Sequence, residues 1–246
     1  MIMGIGMFGG LIFLPIYLQA VKGLSATYSG LAILPLVVGI FTTSIGGGQI
    51  MVRTGRYKWM PITGAVVVGA ALFAFSRLQV DTPYYALALI MYAFGIGLGL
   101  TMQVVVTAVQ NSVDRRHMGV ATASVAFFRS MGAAVGTALL GAILNIRLKH
   151  HLSEIVGAAG HGSPGQIETN DVSAIQALPE PIKSWVLEAF TRSIDDVFLV
   201  AVPFMAVAFV VALTMREKPL RGRGQHSDSA TTTGAAVDSD VVSMAP

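Results

Sequence analysis

The sequence contains no cysteine among its 246 residues, which excludes disulfides and any thiolate-held metal. Charge is also scarce. Asp, Glu, Lys and Arg make up 12% of the chain, about half the share usual in soluble domains. Its long apolar stretches contain no Asp or Glu, so no proton-carrying carboxylate is evident in a membrane path. The hydrolase and nucleotide signatures G-x-S-x-G, H-E-x-x-H and the P-loop are missing too, and no enzymatic activity is expected. Nor is there a cationic leader with a cleavage site. Met1-Ile2-Met3-Gly4 opens directly into an apolar run, and the first positive charge is Lys22. The chain reads as beginning inside a membrane span, with more sequence expected upstream.

What is present is hydrophobic length. Apolar residues make up 54% of the chain, and the mean hydropathy is +0.69. Six stretches approach or exceed the ~20 residues that cross a bilayer: 2–20, 28–48, 59–76, 84–107, 119–146 and 197–215. The expected fold is all-α, a polytopic bundle of six membrane helices in a domain over 1–218. Six spans divide as three plus three, a common transporter plan of inverted repeats, a division that rests on span count and not on sequence symmetry. Residues 147–196 read as an external loop. Within it, Val186, Leu187, Phe190 and Ile194 mark one face of an interfacial helix over 182–194. The small and polar residues of 219–246 read as a disordered cytoplasmic tail.

Orientation follows from the cations. Arg53, Arg56, Lys58, Arg115, Arg116, Arg216, Lys218, Arg221 and Arg223 fall on one side, against Lys22 and Arg77 in the short connections of the other. The positive-inside rule then places both termini in the cytoplasm, in a plasma or inner membrane. It also accounts for the net charge of +3 without invoking nucleic acid.

Few polar groups lie within the spans. Arg129 sits about 15 Å into the fifth span at the helical rise, where a guanidinium costs roughly 2.5–3.5 kcal/mol or more unless it faces protein or water. It reads either as a cavity-lining charge or as a structural bond to a neighbouring helix. Gln103 and Met102 are further cavity candidates. Gly132, Gly136 and Gly141 read as helix-packing positions, the first two forming a G-x-x-x-G. His150, His151 and His161 fall in the expected loop, where solvated histidines are commoner than ligands, and no metal site is expected.

The stretch Gly48-Gln49-Ile50-Met51-Val52-Arg53-Thr54-Gly55-Arg56-Tyr57-Lys58 resembles the cytoplasmic loop signature of the major facilitator superfamily. Val52 stands where that signature carries an acid. Phe13-Leu14-Pro15-Ile16-Tyr17-Leu18-Gln19 and the run from Gln110 through Arg129 to Ala138 are similar to the second half of the fourteen-span drug:proton antiporters. The resemblance implies export of amphipathic, often cationic compounds by alternating access, driven by a proton gradient with no other cofactor. Its partners would be the lipid bilayer, an N-terminal transporter half and an amphipathic small molecule. It assigns Gly48, Arg53, Gly55, Arg56 and Lys58 to a cytoplasmic gate. The alternative reading is a non-transporting six-span remnant acting as a structural or regulatory partner.

Overall fold

The computed structural model describes residues 1–54, 58–158 and 182–214. Gly55 and Arg56 of the expected gate, residues 159–181 of the expected external loop and the tail lie outside the described residues. So does the side chain of Gln103.

The described residues form helices and turns. α1 spans Ile2–Ala20, α2 Ala26–Ala32, α3 Leu34–Thr54, α4 Trp59–Phe75, α5 Tyr84–Ser112, α6 Met118–Ala158 and α7 Ile182–Thr214, with a 3₁₀ turn at Arg115–His117. Among the described residues, five helical runs are long and apolar enough to cross a membrane. α4, at 17 residues, is apolar but shorter, at the low end of the usual range for a span.

Local chemistry sets several boundaries. α1 ends where Gly23 takes φ 67, the only positive φ among the described residues, and Leu24 N–H reaches back to the Leu18 carbonyl at 3.1 Å. Ser25 caps α2 by accepting from the Tyr28 amide. The second apolar stretch is not one unbroken helix. It turns at Ile33, because Pro35 has no N–H to give the preceding turn and disfavours helical geometry at Leu34.

Two expectations differ from the structure. α6 continues twelve residues beyond Ile146, and α7 runs unbroken through Asp195 and Asp196, so much of the expected loop is helical. The segment expected to lie at the interface instead packs on protein. Val186, Phe190 and Ile194 are buried in one cluster with Leu148 and Leu152 of α6, and the same face continues through Val197, Phe198 and Ala201. The second apolar stretch also stays helical past its expected end at 48. Arg53 lies within α3, which ends at Thr54, and residues 55–57 before α4 lie outside the described residues.

The packing has a symmetry that the sequence hides. α1 packs against α6 and α7, while α5 packs against α3 and α4, and α4 meets α7. If the six spans are split three and three, the first helix of each half crosses to the second and third of the other. Both crossings are made by glycines. A Cβ on Gly4 of α1 would lie 2.9 Å from the Arg129 carbonyl of α6, and one on Gly136 would lie 2.7 Å from Ile5 Cα. In the other group, a Cβ on Gly39 of α3 would overlap the Tyr92 carbonyl of α5, and one on Gly95 would overlap that of Leu36. Helices that touch backbone to backbone leave no room for a side chain.

One end of the bundle is sealed. Phe75, Phe94 and Phe198 are buried, with ring centroids 5.7 Å apart for Phe75–Phe94 and 5.2 Å for Phe75–Phe198. Around this aromatic group lie Leu14, Tyr17, Leu18, Leu72 and Met91, all fully buried. Phe75→Ala is expected to cost about 3 kcal/mol, because the flanking rings cannot collapse onto the void. A lowered unfolding midpoint of the detergent-solubilised chain would register that loss.

Candidate functional site

At the opposite end the bundle opens. A cavity of about 590 Å³ lies between the start of α1, the second halves of α5 and α7, the start of α6, and Ala65 and Val68 of α4. Its wall is almost wholly apolar. Methionines recur on it: Met1, Met3, Met7, Met102 and Met205. Their unbranched, polarisable side chains can fit ligands of different outline. The polar groups among the lining side chains are Thr101, Ser124 and Arg129, and Thr101 is already spent on the Gly97 carbonyl at 2.8 Å.

Arg129 is the single charged side chain on this wall. Among the described residues it has no ion pair or side-chain hydrogen bond, and the bundle leaves it exposed. The reading in which it bonds structurally to a neighbouring helix therefore finds no partner side chain among the described residues. No carboxylate shares the cavity wall.

The structure brings Arg129 and Met102 together on this cavity. Gln103 lies in α5, with its side chain outside the described set. Gly132 and Gly136 lie at the α1–α6 crossing, where a Cβ on Gly132 would overlap the Met1 carbonyl. Gly141 does not join them. A Cβ there meets nothing within 4 Å, because the residue turns away from the α1 side of α6. Of the gate group, Arg53 is exposed at the end of α3 and Lys58 is partly buried before α4; a Cβ on Gly48 also meets nothing within 4 Å.

The sealed end holds polar groups from the end of the first expected span and from beyond the spans. Tyr17 is buried and donates its hydroxyl to the Gln79 carbonyl at 2.9 Å. Lys22 Nζ donates to the carbonyls of Val80 and Thr82, the latter at 2.7 Å. Partial burial pulls its ammonium below the usual lysine range, against the opposing pull of Asp81. Asp195 of α7 has a buried Oδ1 without a hydrogen-bond partner among the described residues. The signal for Asp195 was the period of the buried positions from Val186 to Ala201, which carries the helix past it.

Comparison with known proteins agrees with the resemblance. The sequence profile of the Major Facilitator Superfamily matches residues 1–137. An uncharacterised MFS-type transporter of Mycobacterium tuberculosis is 38% identical over 219 residues, covering 89% of this chain and 31% of that protein. The multidrug transporter protein MdtP of Bacillus subtilis is 32% identical over 244 residues, covering 89% and 44%. A tetracycline resistance determinant of Streptomyces rimosus is 25% identical over 238 residues, covering 87% and 69%. The chain thus spans less than half the length of the first two.

Proposed function

This chain belongs to the major facilitator superfamily, a multi-pass membrane protein, and we propose that it forms the C-terminal half of an exporter of amphipathic compounds. The observation that carries this reading is the methionine-rich apolar cavity with Arg129 as its one charged side chain. The relatives named for multidrug transport and tetracycline resistance agree with such a lining. Export proceeds by alternating access, with the cavity completed by a second six-span unit facing the exposed side of α6. In this arrangement the bundle is open at the Arg53 end and sealed at the Arg77 end. With the cationic Arg53 end in the cytoplasm, that is an inward-open half in the plasma or inner membrane. Arg53, Gly55, Arg56 and Lys58 then border its cytoplasmic gate.

The proposed driving force is a proton gradient. In this half the carboxyl best suited to hold a proton is Asp195, because one oxygen is buried and unsatisfied while Arg77 stands near enough to sense its charge. Asp195→Asn is expected to lower drug-dependent proton uptake into vesicles at least about tenfold, since a general loss of proton transfer usually costs 10²–10⁴. Equal uptake by the variant would remove Asp195 from the coupling scheme.

Reconstitution tests the whole reading. Vesicles carrying the chain together with the N-terminal half of a relative should extrude an amphipathic dye when a proton gradient is imposed. Vesicles with the chain alone should not. Efflux by the chain alone would overturn the half-transporter proposal, and no efflux from the complete pair would overturn the export function.

A further inference from the structure

The continuation of α6 beyond the apolar stretch creates a cluster that a loop would have scattered. His150, His151 and Glu154 stand at i, i+1 and i+4 on this helix, with one ligand atom from each within 4.8 Å of the others. His150 Nδ1 is 3.4 Å from Glu154 Oε2, and His151 Nδ1 is 3.5 Å from the same oxygen. Donors bound at about 2.0–2.2 Å around a tetrahedral ion stand about 3.4 Å apart. Two edges of the cluster already have that length.

A second observation concerns tautomer. His151 Nε2 lies 3.0 Å from Asp196 Oδ2 of α7, and Arg147 Nε stands 3.4 Å from the same oxygen. A carboxylate acceptor fixes the ring proton on Nε2, which leaves the lone pair on Nδ1. His151 Nδ1 is a buried atom without a hydrogen-bond partner, although Glu154 lies beside it. A buried lone pair of this kind is costly unless something accepts it. An outer carboxylate bonded to the far nitrogen of a metal-ligating histidine is the usual support of such ligands.

We propose that His150 Nδ1, His151 Nδ1 and a Glu154 oxygen bind a divalent transition-metal ion of the zinc class, with Asp196 positioning His151. Two imidazoles and one carboxylate leave a fourth position for water. The donor set suits zinc, nickel or cobalt over calcium or magnesium, which prefer all-oxygen shells. The ion would fasten the polar extension of α6 to α7 through the His151–Asp196 bond, at the sealed end of the bundle. This inference is independent of the transport reading.

Calorimetric titration of zinc chloride into the full chain tests it, in detergent and purified without a polyhistidine tag. Cobalt(II) absorption serves as a second readout of tetrahedral geometry. One ion per chain is expected, with cobalt bands of tetrahedral intensity. Glu154→Gln and His150→Ala each remove a donor from an exposed side chain without disturbing packing, and each is expected to weaken zinc binding at least about tenfold. Asp196→Asn should weaken it about 10–100-fold as a supporting change, whereas His161→Ala should leave it unchanged. The proposal is overturned if the unmodified chain binds no zinc, or if Glu154→Gln and His150→Ala both bind it as tightly as the unmodified chain. Unchanged affinity in Asp196→Asn alone would remove the positioning role.

Discussion

Gly95→Val should sharply reduce the folded chain recovered from membranes, and the same change at Gly141 should not. A Cβ on Gly95 overlaps the Leu36 carbonyl oxygen and lies 3.1 Å from the Ile40 amide nitrogen. These are backbone atoms of α3 and cannot rotate away as a side chain would. Gly99, one turn on, would push a Cβ into Thr43 and to 2.7 Å from the Ile40 carbonyl. Thr43 Oγ1 lies 2.8 Å from the Gly39 carbonyl of its own helix and 3.2 Å from the Ile96 carbonyl of α5, so a hydrogen bond across the pair depends on the same close approach. Valine at 95 would force the helices apart along this line, costing about 3 kcal/mol, the upper part of the overpacking range. That corresponds to roughly a hundredfold in the folding equilibrium. Gly141 meets nothing within 4 Å. Unfolding midpoints in mixed micelles, with Gly141→Val as control, measure the difference. Equal midpoints would mean that the α3–α5 crossing does not rest on its glycines.

The run Gly95-Ile96-Gly97-Leu98-Gly99 also shows what was legible in the sequence. Its small residues identify helix packing, but not which neighbour each one serves. At 3.6 residues per turn, positions 95 and 99 share a face and 97 points nearly opposite. The structure uses both faces. Gly95 and Gly99 meet α3, while Gly97 meets Gly64 of α4, each Cβ falling 2.9 Å from the other's carbonyl. The all-α fold was legible because apolar length alone decides it. The starts of α4 at Trp59 and α5 at Tyr84 coincide with abrupt changes in polarity.

The ends of α6 and α7 were not legible by that criterion, because hydrophobicity locates the bilayer and not the helix. Past Ile146 the residues turn polar, yet Leu148 and Leu152 keep a buried stripe at i, i+4. His150–Glu154 and Glu188–Arg192 add pairs at the same spacing, the latter at 2.6 Å. Reading the 3.6-residue period in place of mean polarity would have carried both helices through. The crossed packing of α1 with α6 and α7 was beyond any such reading, since it depends on contacts between segments over a hundred residues apart.

The two least covered long helices differ in kind. α3 exposes Val38, Phe41 and Ile45, a plain apolar stripe of the sort lipid covers. α6 exposes Val120, Phe127, Phe128, Met131 and Val135 with Arg129 among them. A guanidinium on a lipid-facing surface at that depth is unfavourable, so the α6 side is the face assigned to the second six-span unit. On the proposed reading, that is the side that would close over the cavity.

Arg129→Ala is expected to lower transport by a complete exporter at least about tenfold, while its abundance stays level or rises. The two signs separate the roles. An arginine within a span costs roughly 2.5–3.5 kcal/mol on insertion, so its removal eases assembly unless the side chain holds helices together. Among the described residues it has no such bond. Its remaining work is electrostatic. At about 6 Å and an effective dielectric near 20, one charge shifts the energy of a charged ligand by about 3 kcal/mol. In a cavity whose described lining carries no carboxylate, that field favours neutral or anionic amphiphiles over cations. Arg129→Glu should therefore raise the ratio of cationic to anionic dye transport, whereas Arg129→Lys should hold the ratio near its original value. Parallel efflux assays with dyes of matched size and opposite charge give this ratio directly. If it is the same in the Glu and Lys variants, Arg129 does not set the charge preference of the cavity. If Arg129→Ala lowers abundance and transport in proportion, the residue is holding the bundle and not the cargo.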